Sequence, residues 1–372
     1  MHVLVTGGAG FIGSHTCLHL LENGVDVTAF DNFCNSSPDA LRRVQELAGR
    51  RLQVVEGDVR DTASLHVILN GPTPVDAVVH FAGLKSVGES VAEPVRYYDN
   101  NVVGTLHLIE AMQRANVFTL VFSSTATVYG NPAPEHLPLK ETAPCGQTHS
   151  PYATSKWMVE RCLADLHLAQ PHWRIARLRY FNPVGAHPSG RIGESPLGIP
   201  NNLMPFVSQV ASGVRPTLSI FGGDYPTPDG TGVRDYIHVM DLAEGHVATL
   251  KYLATRKEGE LLTLNLGTGE GRSVLEVVHT FEAVTGQAVP YQIVSRRSGD
   301  VPAYYANAAQ AQKMLQWHAT RTLEDMCADT WRWQTANPCG YQNESNAIYP
   351  KGSADSPSTS TVHAISRDNK GI

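Results

Sequence analysis

Hydrophobic and polar positions in the first half of the chain predict a layered α/β fold. Short runs rich in Val, Leu, Ile and Phe recur at residues 2–6, 25–30, 52–56, 77–81, 120–123 and 174–180. Runs of this length and apolarity predict parallel strands covered on both faces. Between them the apolar residues fall at helical spacing. Ser37-Pro38 and Asp61 are suited to open two of these helices, and residues 94–115 predict a long one. Strands and helices that alternate in this way predict a doubly wound parallel sheet, a Rossmann-like arrangement.

From residue 181 to about 238 the texture shifts to loops rich in Pro, Gly and Asn, such as Asn182-Pro183-Val184-Gly185 and the run at 225–230. Long loops inside a compact protein commonly bind something. Mixed strand and helix patterns resume at 262–266, 274–284 and 322–333. The division this predicts is one domain over 1–180, to which part of 238–262 returns, and a smaller, discontinuous mixed α/β domain over 181–340. Beyond residue 341 Ser, Thr, Asn and Lys dominate with little periodicity, which predicts a disordered tail over 341–372.

Charge narrows the partners. In 372 residues, 29 basic and 35 acidic side chains leave a net charge of −6, with no basic block to track a nucleic acid or an anionic membrane surface. No run approaches ~18 apolar residues, and residue 1 leads directly into a strand-like segment, so the expectation is a cytoplasmic protein without a membrane span. Six cysteines (Cys17, Cys34, Cys145, Cys162, Cys327 and Cys339) are dispersed without a CxxC pair, which suits reduced thiols. The sixteen histidines are scattered as well, so no metal site is expected.

The segment TGGAGFIG at 6–13 follows a predicted strand and opens a predicted helix. That is the setting in which Gly7, Gly10 and Gly13 can admit a dinucleotide pyrophosphate, with Phe11 and Ile12 in the first helical turn beneath it. Asp31 ends the next strand 18 residues after Gly13. A carboxylate there accepts hydrogen bonds from both ribose hydroxyls and repels a 2′-phosphate, so NAD is expected rather than NADP. Small or polar residues recur at later strand ends: Asp58, then Phe81, Ala82, Gly83 and Lys85, then residues 123–125, then Tyr180, Phe181 and Asn182. In open parallel sheets ligands bind along that carboxyl edge.

Tyr152 and Lys156 lie one helical turn apart behind Pro151, on one face of a predicted helix. A tyrosine and a snorkelling lysine on an ordinary amphipathic helix would show the same spacing, so the glycine loop upstream is what gives the pair chemical meaning. For Tyr152 to act as a base, its phenol must fall by ~3 units from ~10, which requires ~4 kcal/mol of preferential anion stabilisation. Lys156 and an oxidised nicotinamide are the two cations expected to supply it. Thr125, or its neighbour Ser124, is expected to hydrogen-bond the reacting hydroxyl and relay its proton.

Taken with these motifs, HFAGLKSVGES at 80–90, YYDNN at 97–101, ATVYG at 126–130, RYFNPVGA at 179–186 and VRDYIHV at 233–239 resemble the extended short-chain dehydrogenase/reductase family. The similarity runs from residue 1 to about 341, and it is nearest to the members that invert C4 of a UDP-hexose. The resemblance implies that Asp31, Asn32, Asn35, Ser36, Asp58, Val59, Lys85 and Asn100 lie along NAD, with Tyr152 and Lys156 beside its nicotinamide. It implies that Asn182, Asn202, Leu203, Ser219, Phe221, Arg234, Arg297 and Asp300 surround the UDP of the substrate, while Lys85, Thr125, Tyr152 and Tyr304 face its sugar end. The implied substrates are UDP-glucose and UDP-galactose, interconverted through a 4-keto sugar with NAD reduced and regenerated in each cycle, in a homodimer.

Where the family usually has serine, this chain has Thr125, whose methyl restricts the hydroxyl rotamers. Tyr304 matches the position that limits room for an N-acetyl group, with Tyr305 beside it. A 4,6-dehydratase or a decarboxylase would use the same first half, but positions 126 and 127 are Ala126 and Thr127 and supply no acid for elimination. A non-catalytic NAD-binding regulator would be expected to lose Tyr152 or Lys156, and both are present.

Overall fold

The computed structural model describes residues 1–297 and 300–341. Apart from Tyr341, the tail expected over 341–372 lies outside the described residues. Strand β1 (His2–Thr6) leads into α1 (Phe11–Glu22), followed by β2 (Asp26–Asp31), α2 (Pro38–Ala48), β3 (Gln53–Glu56), α3 (Thr62–Leu69) and β4 (Ala77–His80). Helices α4 (Val87–Ala92), α5 (Pro94–Tyr98) and α6 (Gly104–Arg114) come next, then β5 (Thr119–Thr125), α7 (Pro151–Ala169) and β6 (Arg174–Tyr180). The second half holds β7 (Asn182–Val184), α8 (Leu203–Ala211), β8 (Leu218–Phe221), β9 (Val233–Arg234), β10 (Tyr236–His238), α9 (Val239–Ala254) and β11 (Glu260–Leu266). It ends with β12 (Arg272–Ser273), α10 (Val274–Thr285), β13 (Tyr291–Val294), β14 (Ala303–Tyr304), α11 (Ala309–Leu315) and α12 (Leu323–Ala336).

Seven strands form one parallel sheet in the order β11-β6-β5-β4-β1-β2-β3. Their side chains alternate between two apolar layers, as strand geometry requires. Val3, Val5, Val79, Val121 and Ala176 pack on one face with residues of α1, α2 and α9. Leu4, Val78, Leu120, Phe122 and Ile175 pack on the other with residues of α3, α6 and α7. Chain order reverses between β1 and β4, so the crevice at the carboxyl ends of those two strands is the topological switch point.

Three features differ from the sequence expectation. The seventh strand runs to Leu266, so the segment returning to the sheet extends past residue 262. The helix expected over 94–115 is α5 and α6 joined by a π-helical stretch, Asp99–Val103, which shifts the turn carrying Asn100. The loops expected over 181–238 contain α8, because Met204, Val207 and Val210 recur every third residue and bury a stripe in a third core with Val277, Phe281 and Met326. Proline there sits at position 205, in the first turn, where its missing N–H costs nothing. Among the described residues no helix is long and apolar enough to cross a membrane.

Candidate functional site

The glycine loop leaves β1 at the switch point. Gly7 adopts φ +70°, and a Cβ there would meet Ala82 N at 2.6 Å, so the loop presses directly on the chain leaving β4. A Cβ at Gly13 would lie 2.2 Å from Gly7 O, which ties α1 to the loop. At Gly10 a Cβ would meet only Gly7 O, at 3.3 Å, so packing against other elements is not what requires that glycine. Helix α1 opens with no side-chain cap and no acidic residue in its first turn, leaving the N–H groups of Phe11 and Ile12 without competition for an anion.

The carboxylate of Asp31 is buried at the end of β2, where it accepts from Ala9 N at 2.9 Å, Phe33 N at 2.9 Å and Ser36 Oγ at 2.8 Å. Asn32 Nδ2 donates to Asp58 at 2.9 Å, and Arg60 beside Asp58 holds that carboxyl well below the usual range. A loop with no room for a side chain at Gly7 or Gly13, an open helix start and a fixed carboxylate at the next strand end fit a dinucleotide. Val59 is packed beneath this edge, where a Cβ at Gly104 would meet it at 2.8 Å, and Asn35 is exposed. Asn100 Nδ2 donates to Asn101 Oδ1 at 2.9 Å.

Helix α7 begins at Pro151 with Ser150 as its cap, which places Tyr152 in the first turn and Lys156 in the second. The Lys156 ammonium donates to Ser123 O at 2.8 Å and lies 4.9 Å from the centre of the Phe122 ring, so it bridges α7 to the end of β5. Burial lowers its pKa to about 8. A Cβ at Gly83 would lie 3.4 Å from Lys156 Nζ, which brings the chain leaving β4 to the same point.

Tyr152 lies one turn before Lys156 on α7. Its phenol is pushed up to about 12, because burial outweighs a hydrogen bond with Thr125 that acts the other way. Thr125 Oγ1 accepts from Thr127 N at 3.2 Å, which leaves its own proton to donate. Ser124 departs from its expected place. Strand alternation turns it to the opposite face, where its hydroxyl donates to Glu160 at 2.5 Å in a buried cluster, so Thr125 alone faces Tyr152.

The substrate candidates fall into groups. Arg234 lies over the Tyr304 ring at 5.4 Å, and Tyr304 packs against Phe181 with centroids 5.6 Å apart. Arg297 makes a forked pair with Asp300, at 3.0 and 3.1 Å, and lies over exposed Phe221 at 5.2 Å. Ser219 shares β8 with Phe221, and Leu203 opens α8. Asn182 N donates to Asp235 O at 2.9 Å. Lys85 and Asn202 meet on Glu194. Tyr180 departs from its expected place: its phenol bonds His246 Nε2 inside the first core, so only its main chain is left for a ligand.

Several residues were not singled out by motif reasoning. Arg179 and Glu160 form a buried pair, joined at 2.6 and 2.9 Å, that also holds Ser124 and Tyr129. Glu160 follows Lys156 by one turn, so helical spacing was a usable signal for it. Glu194 had none, because its partners are 109 and 8 residues away in opposite directions.

A family model described as GDP-mannose 4,6 dehydratase matches residues 4–330. The chain is 54% identical over 342 residues to the UDP-glucose 4-epimerase of Neisseria meningitidis serogroup A, covering 92% of this chain and 99% of the relative. It superposes with a TM-score of 0.88 on the Bifidobacterium longum UDP-glucose 4-epimerase in complex with NAD+ and UDP, at 52% identity, covering 91% of this chain and 100% of that one. The Stenotrophomonas maltophila enzyme with bound NAD and formylated UDP-arabinopyranose gives the same TM-score at 49% identity, covering 91% of this chain and 99% of that one. Glycine loop, strand-end carboxylate and Tyr-Lys helix thus recur in a chain related to these enzymes along its described length, and the chain belongs to the UDP-glucose 4-epimerase family.

Proposed function

We propose that this chain interconverts UDP-glucose and UDP-galactose at C4, using NAD held along the switch-point edge of the sheet. The observation that carries the reading is the convergence of Tyr152, Lys156 and Thr125 at one strand end, beside the segment that leaves β4. When bound, NAD supplies a reversible hydride acceptor for C4. Tyr152, as the phenolate, takes the proton of the sugar 4-hydroxyl, and Thr125, which accepts from that hydroxyl and donates to Tyr152, relays it. With its pKa lowered to about 8, Lys156 still carries its charge at neutral pH, where it favours the phenolate as the proton moves. The 4-keto sugar would then turn over within the site, take the hydride back at C4 on its other face and recover the proton of its 4-oxygen from Tyr152.

For the substrate, Arg234 and the Arg297–Asp300 pair suit the diphosphate, and Phe221 offers a flat face to the uracil. The hexose must rotate, so firm polar anchors belong on the nucleotide. Ala126 and Thr127, in the turn after Thr125, provide no carboxyl for dehydration. The six free cysteines support a reducing, cytoplasmic setting. We also propose a homodimer built on the exposed apolar face that Val91, Val95, Leu106 and Met158 present on α4, α5, α6 and α7.

Replacing Tyr152 by phenylalanine tests the catalytic reading. Turnover of UDP-galactose is expected to fall by about 10²–10⁴-fold, with UDP affinity and bound NAD retained. Unchanged turnover would assign the base to another group.

A further inference from the structure

One carboxylate oxygen gathers two groups that come from different parts of the fold. Glu194 Oε1 accepts from Lys85 Nζ at 3.0 Å and from Asn202 Nδ2 at 2.8 Å. Lys85 lies on the chain leaving β4, at the sheet edge, and Asn202 is the N-cap residue of α8. The Glu194 side chain is 11% exposed and that of Lys85 is 58% exposed, so the carboxylate is the anchor and the ammonium is what it holds.

The main chain around Glu194 is fixed from behind. Trp333 Nε1 donates to Glu194 O at 3.0 Å. The Tyr341 hydroxyl accepts from Gly193 N at 3.1 Å and donates to Gly193 O at 3.2 Å. A Cβ at Gly193 would lie 2.4 Å from the Trp333 ring, so this close approach depends on glycine. Stability does not account for such an arrangement, because a half-exposed ion pair contributes only about 0–1 kcal/mol. Fixed geometry is instead what a binding site needs from the groups behind its contact residues.

We propose that Glu194 is a positioning residue for substrate. It holds the Lys85 ammonium and the Asn202 amide in one orientation at the place where the sugar diphosphate binds. The proposal rests on the proposed function and on the placement of Lys85 and Asn202 beside the substrate that the family resemblance implies. Glu194 also offsets the charge of Lys85, so the ammonium acts as a directed donor to the substrate and not as a free cation that captures any phosphate.

The test uses full-length, NAD-loaded protein and the variants Glu194→Ala, Glu194→Gln, Lys85→Met and Asn202→Ala, with both double variants that contain Glu194→Ala. Glu194→Ala is expected to raise KM for UDP-galactose about tenfold, with kcat within about threefold of the parent and NAD content unchanged. Glu194→Gln, which keeps an acceptor, recovers part of the loss. Each double variant is expected to bind little worse than its weaker parent, because the partners act through one contact. Unchanged KM in folded, NAD-loaded Glu194→Ala overturns the proposal, as do additive double variants. Should Glu194→Ala not fold, the same cycles run with Glu194→Gln decide it by the same criterion. A different failure, Lys85→Met and Asn202→Ala both leaving KM unchanged, would reject the cleft placement itself.

Discussion

Lys156→Met should stabilise the nucleotide-free protein at neutral pH while removing its activity. Lys156 is only 5% exposed, and burial lowers its pKa from 10.5 to about 8. The unfolded chain therefore binds this proton more tightly than the folded one. Folding releases it between pH 8 and 10.5, so the lysine's contribution to stability rises with pH across that window and its full penalty applies below pH 8. That difference in pKa corresponds to about 3 kcal/mol. Methionine matches the length of the side chain without the charge but gives up the bond to Ser123 O, which costs about 1–2 kcal/mol. The net gain is about 1–2 kcal/mol, or roughly 2 °C in Tm for a body of this size at about 2.1 cal/mol/K per residue. Thermal melts of both proteins, stripped of nucleotide and run from pH 7 to pH 10.5, would read it. The advantage of the variant should shrink as pH rises through the window, cross zero at about pH 9 and become a deficit of about 1–2 kcal/mol at the upper end, where only the lost bond to Ser123 O remains. A variant that melts lower than the parent by a constant margin at every pH would refute the reasoning.

Two further substitutions follow from packing. Gly13→Ala puts a Cβ 2.2 Å from Gly7 O and should displace the loop, so the purified protein should carry less than about a tenth of the parent's NAD while keeping its far-ultraviolet circular dichroism. Full nucleotide content, read by absorbance of the denatured supernatant, would contradict the assigned role of the loop. Val95→Asp alters a side chain that is 79% exposed and should leave the protomer folded but monomeric in sedimentation velocity. An unchanged sedimentation coefficient with parental activity would remove that face from the interface.

Six of the seven strands of the parallel sheet were legible as short apolar runs, with β1 and β6 placed to the residue, whereas the run that forms β11 was assigned to the smaller domain. Helix α2 was legible from Ser37 and Pro38, which cap and open it. Helix α8 was hidden by Pro205 and the Asn pair before it, whose local preference for loops is overridden when Met204, Val207 and Val210 find a core. At the site, residues whose placement follows from local spacing could be read: the glycines, Asp31, Tyr152 and Lys156. Ser124 and Thr125 were separable only once strand alternation was known. The cost of burying the Tyr152 phenol, which works against the phenolate, depends on tertiary packing and leaves no mark on neighbouring residues in the chain.

Glu160 explains how α7 keeps its working register. The helix carries Tyr152, Lys156 and Glu160 at one-turn intervals, and the third of these is fully buried against Arg179. Burial works against the charge on Arg179, but Glu160 more than offsets it and raises the guanidinium above its ordinary value. The cluster takes Ser124 from β5, Arg179 from β6, Tyr129 from the turn after Thr125 and, through the Tyr129 hydroxyl at 2.6 Å, Asn265 from β11. Apolar side chains could hold the same elements together about as firmly, since a buried ion pair is often no more stabilising than a hydrophobic substitute. They could not fix rotation and sliding of the helix equally well, because apolar contact has no preferred direction. A displacement of about 1 Å between base and substrate can cost about 10²-fold in rate. A directional network that links three strands to the helix carrying Tyr152, with direct bonds from two of them, therefore serves geometry first and stability second, and it begins at Ser124, the residue next to Thr125.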